Sequence, residues 1–325
     1  MDNPAFAANL ALARSSPYSP PMIHGPSDST AQDKPRGNGF LARASHWAVV
    51  RVVVLALVLI VALIASKLAT NPLIPPAPSP LHHPLLLVGN LLSSGLLLAL
   101  YALTVRWLER RSAAELDPRR GAPLLLAGAG IGAAMMASVY LILWILGRAS
   151  FGPGTGLDGL GGGLAVAFAA AVLEELLLRA VLFRILEEAG GTTIAVAVSA
   201  VVFGLLHAFN PGATPISTAA IAIEAGVLLA LAYALTHNLW LAIGIHMSWN
   251  FTEGSLFGAA VSGGAPTHSL VRASLSGPQL LTGGAFGPEA SVVSVVVSLA
   301  ASAVLGALIL RRGGWRPRTL RLSLG

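Results

Sequence analysis

The chain contains no cysteine, and only 10% of its 325 residues are charged. The absence of thiols excludes disulfides, cysteine-ligated zinc, iron–sulfur clusters and cysteine nucleophiles. A soluble globular protein has about 25% charged residues, so the scarcity of charge excludes that class. Hydrophobic residues make up 55% of the chain, and the mean hydropathy is +0.75. The composition therefore predicts an all-α polytopic integral membrane protein.

Eight apolar segments are long enough to cross a bilayer as helices, which takes about 20 residues each. They lie at approximately residues 46–68, 84–105, 123–146, 160–183, 193–209, 216–235, 238–254 and 290–310. Around them, the sequence predicts a flexible cytoplasmic tail at 1–44, rich in proline and serine, and a basic cytoplasmic tail at 313–325. The transmembrane domain is therefore expected at 45–312, with the Gly- and Ser-rich segment 255–289 as a long outer loop.

The basic residues are distributed unevenly between the two sides of this arrangement. Of the 20 lysines and arginines, Lys67, Arg148 and Arg272 fall in one set of alternate loops, and Arg179 falls inside a span. The other 16 lie in the opposite set of loops or in the two tails. Since cytoplasmic loops carry the excess of Lys and Arg, the even number of spans predicts cytoplasmic termini in a multi-pass protein of the cell membrane. The net charge of +6 is then explained by the basic cytoplasmic loops and tails, and no nucleic-acid partner is expected.

Four of the predicted spans carry polar side chains at a depth where each ionisable group costs about 2.5–3.5 kcal/mol on insertion scales. These residues are Glu174, Glu175 and Arg179 in the fourth span, His207 at the end of the fifth, Glu224 in the sixth, and His246 and Asn250 in the seventh. The i,i+4 spacing places Glu175 and Arg179 on one helix face. His246 and Asn250 share a face in the same way. At 1.5 Å per residue, four of these side chains lie roughly 12–21 Å from the cytoplasmic ends, near the middle of the bilayer: Glu174, His207, His246 and Asn250.

This set of one carboxylate, two imidazoles and one amide predicts the activation of water. Glu174 can deprotonate a water directly, while the imidazoles and the amide stabilise an oxyanion. Alternatively, the same four side chains hold a divalent metal such as zinc, which lowers the pKa of its bound water. The amide of Asn250 is a poor zinc ligand, which favours the direct scheme, in which no cofactor is required. Both schemes stay open at this point.

The other polar residues are interpreted as structural or solvated. Glu175 and Arg179 form an ion pair whose role is either structural or catalytic. Phe203 is expected to pack, and Glu224 stands alone with no assigned role. Glu253 is expected near a membrane surface, in contact with water. Three histidines are expected in loops, with no partners at metal-ligand spacing: His82, His83 and His268.

Three ordered motifs resemble those of a known family. The stretch Glu174-Glu175-Leu-Leu-Leu-Arg179 resembles the EExxxR motif of the CPBP family, the CAAX-protease and bacteriocin-processing group of intramembrane proteases related to the Ras-converting enzyme. Phe203-Gly-Leu-Leu-His207 resembles its FxxxH motif, and His246-Met-Ser-Trp-Asn250 resembles its HxxxN motif. The resemblance covers residues 161–254.

The resemblance implies an eight-helix fold whose intramembrane cavity opens towards the cytoplasm and the lipid, and an endopeptidase activity on a membrane-proximal peptide or protein. It also implies that Glu174 activates the water, and that three residues position this water or bind the oxyanion: His207, His246 and Asn250. The supporting residues would be Glu175, Arg179 and Phe203. Members of the family are described both as metalloproteases and as metal-free glutamate proteases, so the resemblance leaves the metal open.

Two alternatives to a protease are retained. A non-proteolytic scaffold or bacteriocin-immunity protein of the same fold has no need of a carboxylate at the bilayer midplane, which counts against it. An ion-coupled transporter would have broken helices and an internal inverted repeat. The sequence shows no such repeat, and Glu224 is the only additional feature that favours a transporter.

Overall fold

The structure is a computed structural model that describes residues 37–77, 79–265 and 268–317, with side chains from residue 47 onward. Most of the predicted N-terminal tail and the last residues of the predicted C-terminal tail lie outside this range. The first helix begins at Gly37, inside the segment predicted as tail. Most of the described residues are helical, with one short pair of strands, and the predicted all-α polytopic membrane fold is confirmed.

The helices and strands follow one another in a simple order. They are α1 (Gly37–Thr70), α2 (His82–Leu108), α3 (Gly121–Ile145), β1 (Ala149–Pro153), α4 (Leu160–Glu175), α5 (Arg184–His207), α6 (Pro215–Ile221), α7 (Leu228–Thr236), α8 (Leu239–Phe251), β2 (Val271–Leu275), α9 (Gln279–Thr282) and α10 (Val292–Arg311). Short 3₁₀ turns lie at Asn71–Leu73, Ala114–Leu116 and Pro288–Ala290.

Three π-helical segments interrupt or extend the helices that carry the polar motifs. Leu176–Phe183 joins α4 to α5, Ala222–Val227 joins α6 to α7, and Thr252–Leu256 extends α8. Such segments are rare in proteins and occur frequently at functional sites. Their positions here coincide with the part of each helix that bears buried polar side chains.

The number of membrane spans differs from the prediction of eight. By length and hydropathy, the described residues contain six helices able to cross a membrane, and the count of eight is not confirmed. Two of the predicted spans fall within one of these six helices, Leu160–His207. Helix α8 has only 13 residues, too few to cross a bilayer by its own length.

The 48-residue stretch Leu160–His207 cannot be a single straight rod across a bilayer. At 1.5 Å per residue it would measure about 72 Å, more than twice the thickness of the hydrocarbon layer. The chain breaks at Gly191, where φ is 82° and ψ is 171°, a conformation that suits glycine. Because Glu174 and His207, on either side of this break, approach to 3.9 Å, the chain folds back on itself there.

The loops gather at two ends of the helix bundle. The basic end consists of the loops after α2 and α7, the turn around Gly191 and the residues after α10. They are joined by contacts such as Thr192 N to Arg316 O at 3.0 Å. The opposite end consists of the loops after α1, α3 and α5 and of the segment between α8 and α10. Here β1 and β2 form an antiparallel pair, with Ala149 opposite Leu275 and Pro153 opposite Val271.

Helices α3 and α8 pack with their backbones in contact. A Cβ atom added at Gly128 would lie 2.4 Å from the carbonyl oxygen of Leu241, and one at Gly132 would lie 2.2 Å from that of Ile245. In the reverse direction, a Cβ at Gly244 would lie 2.4 Å from the carbonyl oxygen of Leu125. Small residues at a helix interface allow this close approach. The contact fixes α8, which carries the HxxxN motif, against α3.

A cluster of ion pairs occupies the basic end. Glu109 accepts hydrogen bonds from Arg51 at 3.1 Å, Arg111 at 2.6 Å and Arg184 at 2.7 Å. Burial disfavours the charged form of Glu109, but these three guanidinium groups outweigh it and hold the pKa of the carboxyl at about 2. Arg111 also binds Glu115 at 2.9 Å. The cluster ties α1, α2 and the α4–α5 hairpin together.

Candidate active site

The three motif helices bring one carboxylate and two imidazoles together. Glu174 Oε2, on α4, lies 3.9 Å from His207 Nε2 at the end of α5 and 3.8 Å from His246 Nε2 on α8. This oxygen is buried and makes no hydrogen bond to any side chain or backbone group that the structure describes. The distances are too long for direct hydrogen bonds and suit a bridging water.

The partners of the two imidazoles assign their tautomers. His246 Nδ1 lies 2.9 Å from Glu175 Oε1, and His207 Nδ1 lies 2.8 Å from the carbonyl oxygen of Phe203. Both partners are acceptors, so each Nδ1 carries the proton and donates it. In the neutral form, each Nε2 then has a free lone pair that faces Glu174. A water at this point can donate one of its two protons to Glu174 and the other to one of these Nε2 atoms.

A buried ion pair between Glu175 and Arg179 holds the imidazole of His246. Arg179 Nη1 donates to Glu175 Oε1 at 3.0 Å, and neither side chain has any exposed surface. Arg179 Nη2 donates to the carbonyl oxygens of Ala225 at 3.2 Å and Gly226 at 3.3 Å. Because the guanidinium is permanently charged, Glu175 compensates a charge that would otherwise be buried alone. Glu175 is therefore bound on both sides, by Arg179 and by His246.

Phe203 packs between the charged and imidazole groups. Its ring stacks on His207 with centroids 4.7 Å apart and an interplanar angle of 20°. It meets His246 edge-on at 6.0 Å, and the Arg179 guanidinium carbon lies 4.8 Å from its centroid. The packing expected for Phe203 is observed, and its ring restricts both imidazoles.

Two cavities meet at these side chains, and Asn250 lines both, one helical turn beyond His246. The small cavity leaves about 30 Å³ for the centres of water molecules, room for about two waters. The large cavity has a volume of about 590 Å³. Glu174 lines only the large cavity, whereas His207 and His246 line both.

A metal site is not supported by the arrangement of the side chains. Within the ranges that the structure describes, no group of three or more His, Asp or Glu residues is placed to hold a metal ion. The fourth candidate ligand, Asn250, offers an amide, which zinc binds poorly. The residues do not fit the zinc site left open by the sequence, and the metalloprotease assignment lacks support.

A protein-family model matches this part of the chain. The model is described as Rce1-like, Type II CAAX prenyl endopeptidase Rce1-like, and it covers residues 157–252, which contain all three motifs. This region is an Rce1-like domain. The resemblance of this region to the CPBP family is thereby confirmed. At the family level the match supports a CAAX-protease-like intramembrane endopeptidase, and the apolar helices indicate a multi-pass membrane protein. No curated protein and no solved structure matches the chain significantly.

Three histidines extend the site beyond the motifs of the Rce1-like domain. The rings of His82 and His83 lie 5.0 Å apart, and those of His83 and His268 lie 4.7 Å apart, both edge-to-face. All three line the large cavity. His82 and His83 begin α2 and do not lie in a loop as expected, and the loop after α8 brings residue 268 to them. Nothing in their spacing along the chain signals this contact.

A group of buried carboxyls lies on the other side of the two catalytic-motif histidines. Glu253, expected in contact with water, has no exposed surface, and its Oε1 accepts a hydrogen bond from Glu289 N at 3.2 Å. The expectation fails because the segment between α8 and α10 folds over the end of α8. Glu224 is also buried, and it lines the small cavity with Glu289. The glycine-rich run before Glu289 is the one sequence signal for this packing.

Proposed function

We propose that the chain is an intramembrane endopeptidase in which Glu174 activates the attacking water without a metal. The observation that carries the proposal is the buried Glu174 Oε2, which has no hydrogen-bond partner among the described residues and lies within 4 Å of two imidazole Nε2 atoms. A water held beside these atoms has two protons to donate, one to the Glu174 carboxylate that acts as its base and one to the His207 Nε2 that orients it.

The proposed reaction begins with proton transfer from this water to Glu174. The water oxygen bonds to the carbonyl carbon of the substrate, and the carbonyl oxygen becomes an oxyanion. When the carbon–nitrogen bond breaks, protonated Glu174 returns the proton to the leaving nitrogen, which yields a carboxylic acid and an amine; the acid then loses its proton to the amine or to solvent. The carboxyl thus acts first as a base and then as an acid.

Asn250 and His246 are proposed to stabilise the oxyanion. The amide of Asn250 is an uncharged donor beside the imidazoles. His246 donates from Nε2 in its imidazolium form, with that proton taken from solvent before the peptide binds, and the Glu175 carboxylate 2.9 Å from its Nδ1 stabilises the charge. His207, held at Nδ1 by a neutral carbonyl, is assigned to orient the water.

The proposed orientation places both termini in the cytoplasm of a cell membrane. It is supported by the 16 basic residues in the tails and on the loops of the basic end, against the three of the opposite end. The substrate is proposed to be a membrane-proximal peptide or protein. A peptidase of this kind needs the midplane carboxylate, whereas a scaffold or immunity protein of the same fold does not.

The proposal is tested by replacing the gene in the native host with Glu174→Gln and comparing the peptides of the membrane and secreted fractions by mass spectrometry. We expect specific cleavage products to disappear while the abundance of the protein is unchanged. The matched control is Glu188→Gln, which removes a half-exposed carboxylate paired with Arg51 and Arg184 at the basic end. An unchanged peptidome in Glu174→Gln would favour the scaffold.

A further inference from the structure

We propose that the peptide substrate reaches Glu174 from the non-cytoplasmic face, through the large cavity, and enters beside His83 and His268. This inference rests on the proposed function, because it concerns the route to the same carboxylate. It departs from the cytoplasmic opening that the family resemblance implies.

The large cavity runs along one face of α4. Its lining includes Gly162, Val166, Ala170 and Glu174, which recur every four residues and therefore share a face. The 12 residues from Gly162 to Glu174 correspond to a path of about 18 Å. Gly162 lies near the start of α4, at the opposite end of the bundle. The cavity therefore connects Glu174 with that end.

The remaining wall of the cavity comes from the same end. Gly159, Ser262, Ala265 and His268 belong to the loops between α3 and α4 and between α8 and α10. His83 lies at the start of α2. Within the described ranges, no residue of the loops at the basic end lines this cavity. The mouth therefore lies at the end that carries few positive charges.

The path from Glu174 to the basic end is filled by side chains. Glu175, Arg179 and Phe183, which follow Glu174 along the chain, have no exposed surface. Beyond them, Arg184 binds Glu109 at 2.7 Å and closes the bundle with the ion-pair cluster. A peptide has no room on this side unless these buried pairs separate, which is costly for charges taken out of water.

The sequence indicates which end faces the cytoplasm. The described loops divide between the two ends in the alternation expected for membrane spans, and the basic end carries the excess of Lys and Arg. Since that excess marks the cytoplasmic side, the mouth of the large cavity faces the other side.

The lining of the cavity fits an extended peptide. An extended chain spans about 3.3–3.6 Å per residue, so the 18 Å path holds about five residues between the mouth and Glu174. The walls carry many hydrogen-bonding groups, including Asn210, Ser255 and the three histidines, and His83 Nδ1 is buried without a partner in the described part of the chain. These groups, set among apolar side chains such as Leu86, Val166 and Val261, suit a peptide backbone that carries apolar side chains.

The substrate class that follows is a polypeptide segment exposed on the non-cytoplasmic side of the membrane. An exported peptide or the outer end of a membrane protein meets this condition, whereas the C-terminus of a cytosolic protein does not. Cleavage is expected about five residues from the point at which the segment enters the mouth.

The access route is tested by cysteine labelling, for which the chain is well suited because it contains no cysteine. Ala265→Cys places a thiol at an exposed position of the mouth, and Ser112→Cys places one at an exposed position of the basic end. We expect a membrane-impermeant maleimide to label Ala265→Cys in spheroplasts, and Ser112→Cys only after permeabilisation. The reverse pattern, or no labelling of Ala265→Cys even after permeabilisation, would overturn the proposal.

A second readout tests whether the mouth is the substrate route. A large maleimide adduct on Ala265→Cys is expected to lower peptide cleavage at least tenfold, and a small methylthio adduct is expected to lower it less. The control is Leu280→Cys, exposed at the same end but outside the lining of the large cavity. Equal cleavage with large adducts at both positions would refute the route. Labelling does not depend on activity. The expected labelling pattern without any peptide cleavage would therefore reject the proposed peptidase function and not the position of the cavity mouth.

Discussion

Two adjacent glutamates are expected to fail in opposite ways when each is replaced by glutamine. Glu174→Gln removes a carboxylate that makes no hydrogen bond to a described residue and whose side chain is 28% exposed. Glu175→Gln removes the negative charge between Arg179 and His246, both of which it contacts within about 3 Å. The first variant should lose activity and keep its stability, whereas the second should lose stability.

The magnitudes follow from the surroundings of each side chain. An isosteric change at a position without partners alters the free energy of unfolding by about 0.5 kcal/mol or less. Loss of a general acid–base group lowers the rate by about 10²–10⁴-fold. Removing one partner of a buried ion pair costs about 3–5 kcal/mol, because the fully buried guanidinium of Arg179 is then uncompensated.

The assay combines thermal unfolding in detergent with cleavage of a peptide identified in the native host. Glu174→Gln is expected to unfold at the temperature of the wild type and to be inactive. Glu175→Gln is expected to unfold at a clearly lower temperature. If Glu174→Gln were destabilised as much as Glu175→Gln, the reasoning that separates a catalytic from a structural carboxylate would be refuted.

Four further outcomes are expected. Gly132→Leu should lower the free energy of unfolding by about 1–3 kcal/mol in the same assay, because its Cβ would lie 2.2 Å from a carbonyl oxygen of α8. The control is Gly130→Leu on the same helix, whose Cβ would meet nothing within 4 Å. The ionised carboxylate of Glu109, whose pKa is lowered from 4.5 to about 2, stabilises the fold above pH 4.5. That contribution, roughly 3 kcal/mol, should disappear as the pH falls from 4.5 to 2, and acid titration of Glu109→Gln should show a smaller loss. Glu224→Gln should keep the melting temperature, because a buried carboxyl without an ion pair in the described residues is uncharged, and a large drop would contradict this. Cleavage should survive a chelator in vitro, and restoration by zinc after a loss would contradict direct activation by Glu174.

The convergence of Glu174, His207 and His246 was within reach of the sequence. Helical rise and the length of apolar segments fix the depth of a residue in a bilayer, and i,i+4 spacing fixes its face. The catalytic roles of these residues remain predictions. The predicted count of eight spans is not confirmed, because α8 is short and continues as a π-helical segment, and because Gly191 divides a helix that is otherwise continuous.

The contacts made by loops were missed for a different reason. His83 and His268 are far apart in the chain, and their approach depends on how the segment between α8 and α10 folds over the bundle. The same folding buries Glu253, although its place at the end of a span predicted exposure to water. Periodicity describes single helices, whereas these positions depend on tertiary packing.

The glycine contact between α3 and α8 limits how the protein can adapt when a peptide binds. His246 and Asn250 stand on a helix whose backbone lies against that of α3 at Gly128, Gly132 and Gly244. Because so close a contact leaves little room for α8 to shift, we expect these two residues to keep their positions when a peptide binds. The space for a peptide bond is then expected to come from the facing side, from α4 and the loop that precedes it, so that the carboxylate approaches the nitrogen atoms.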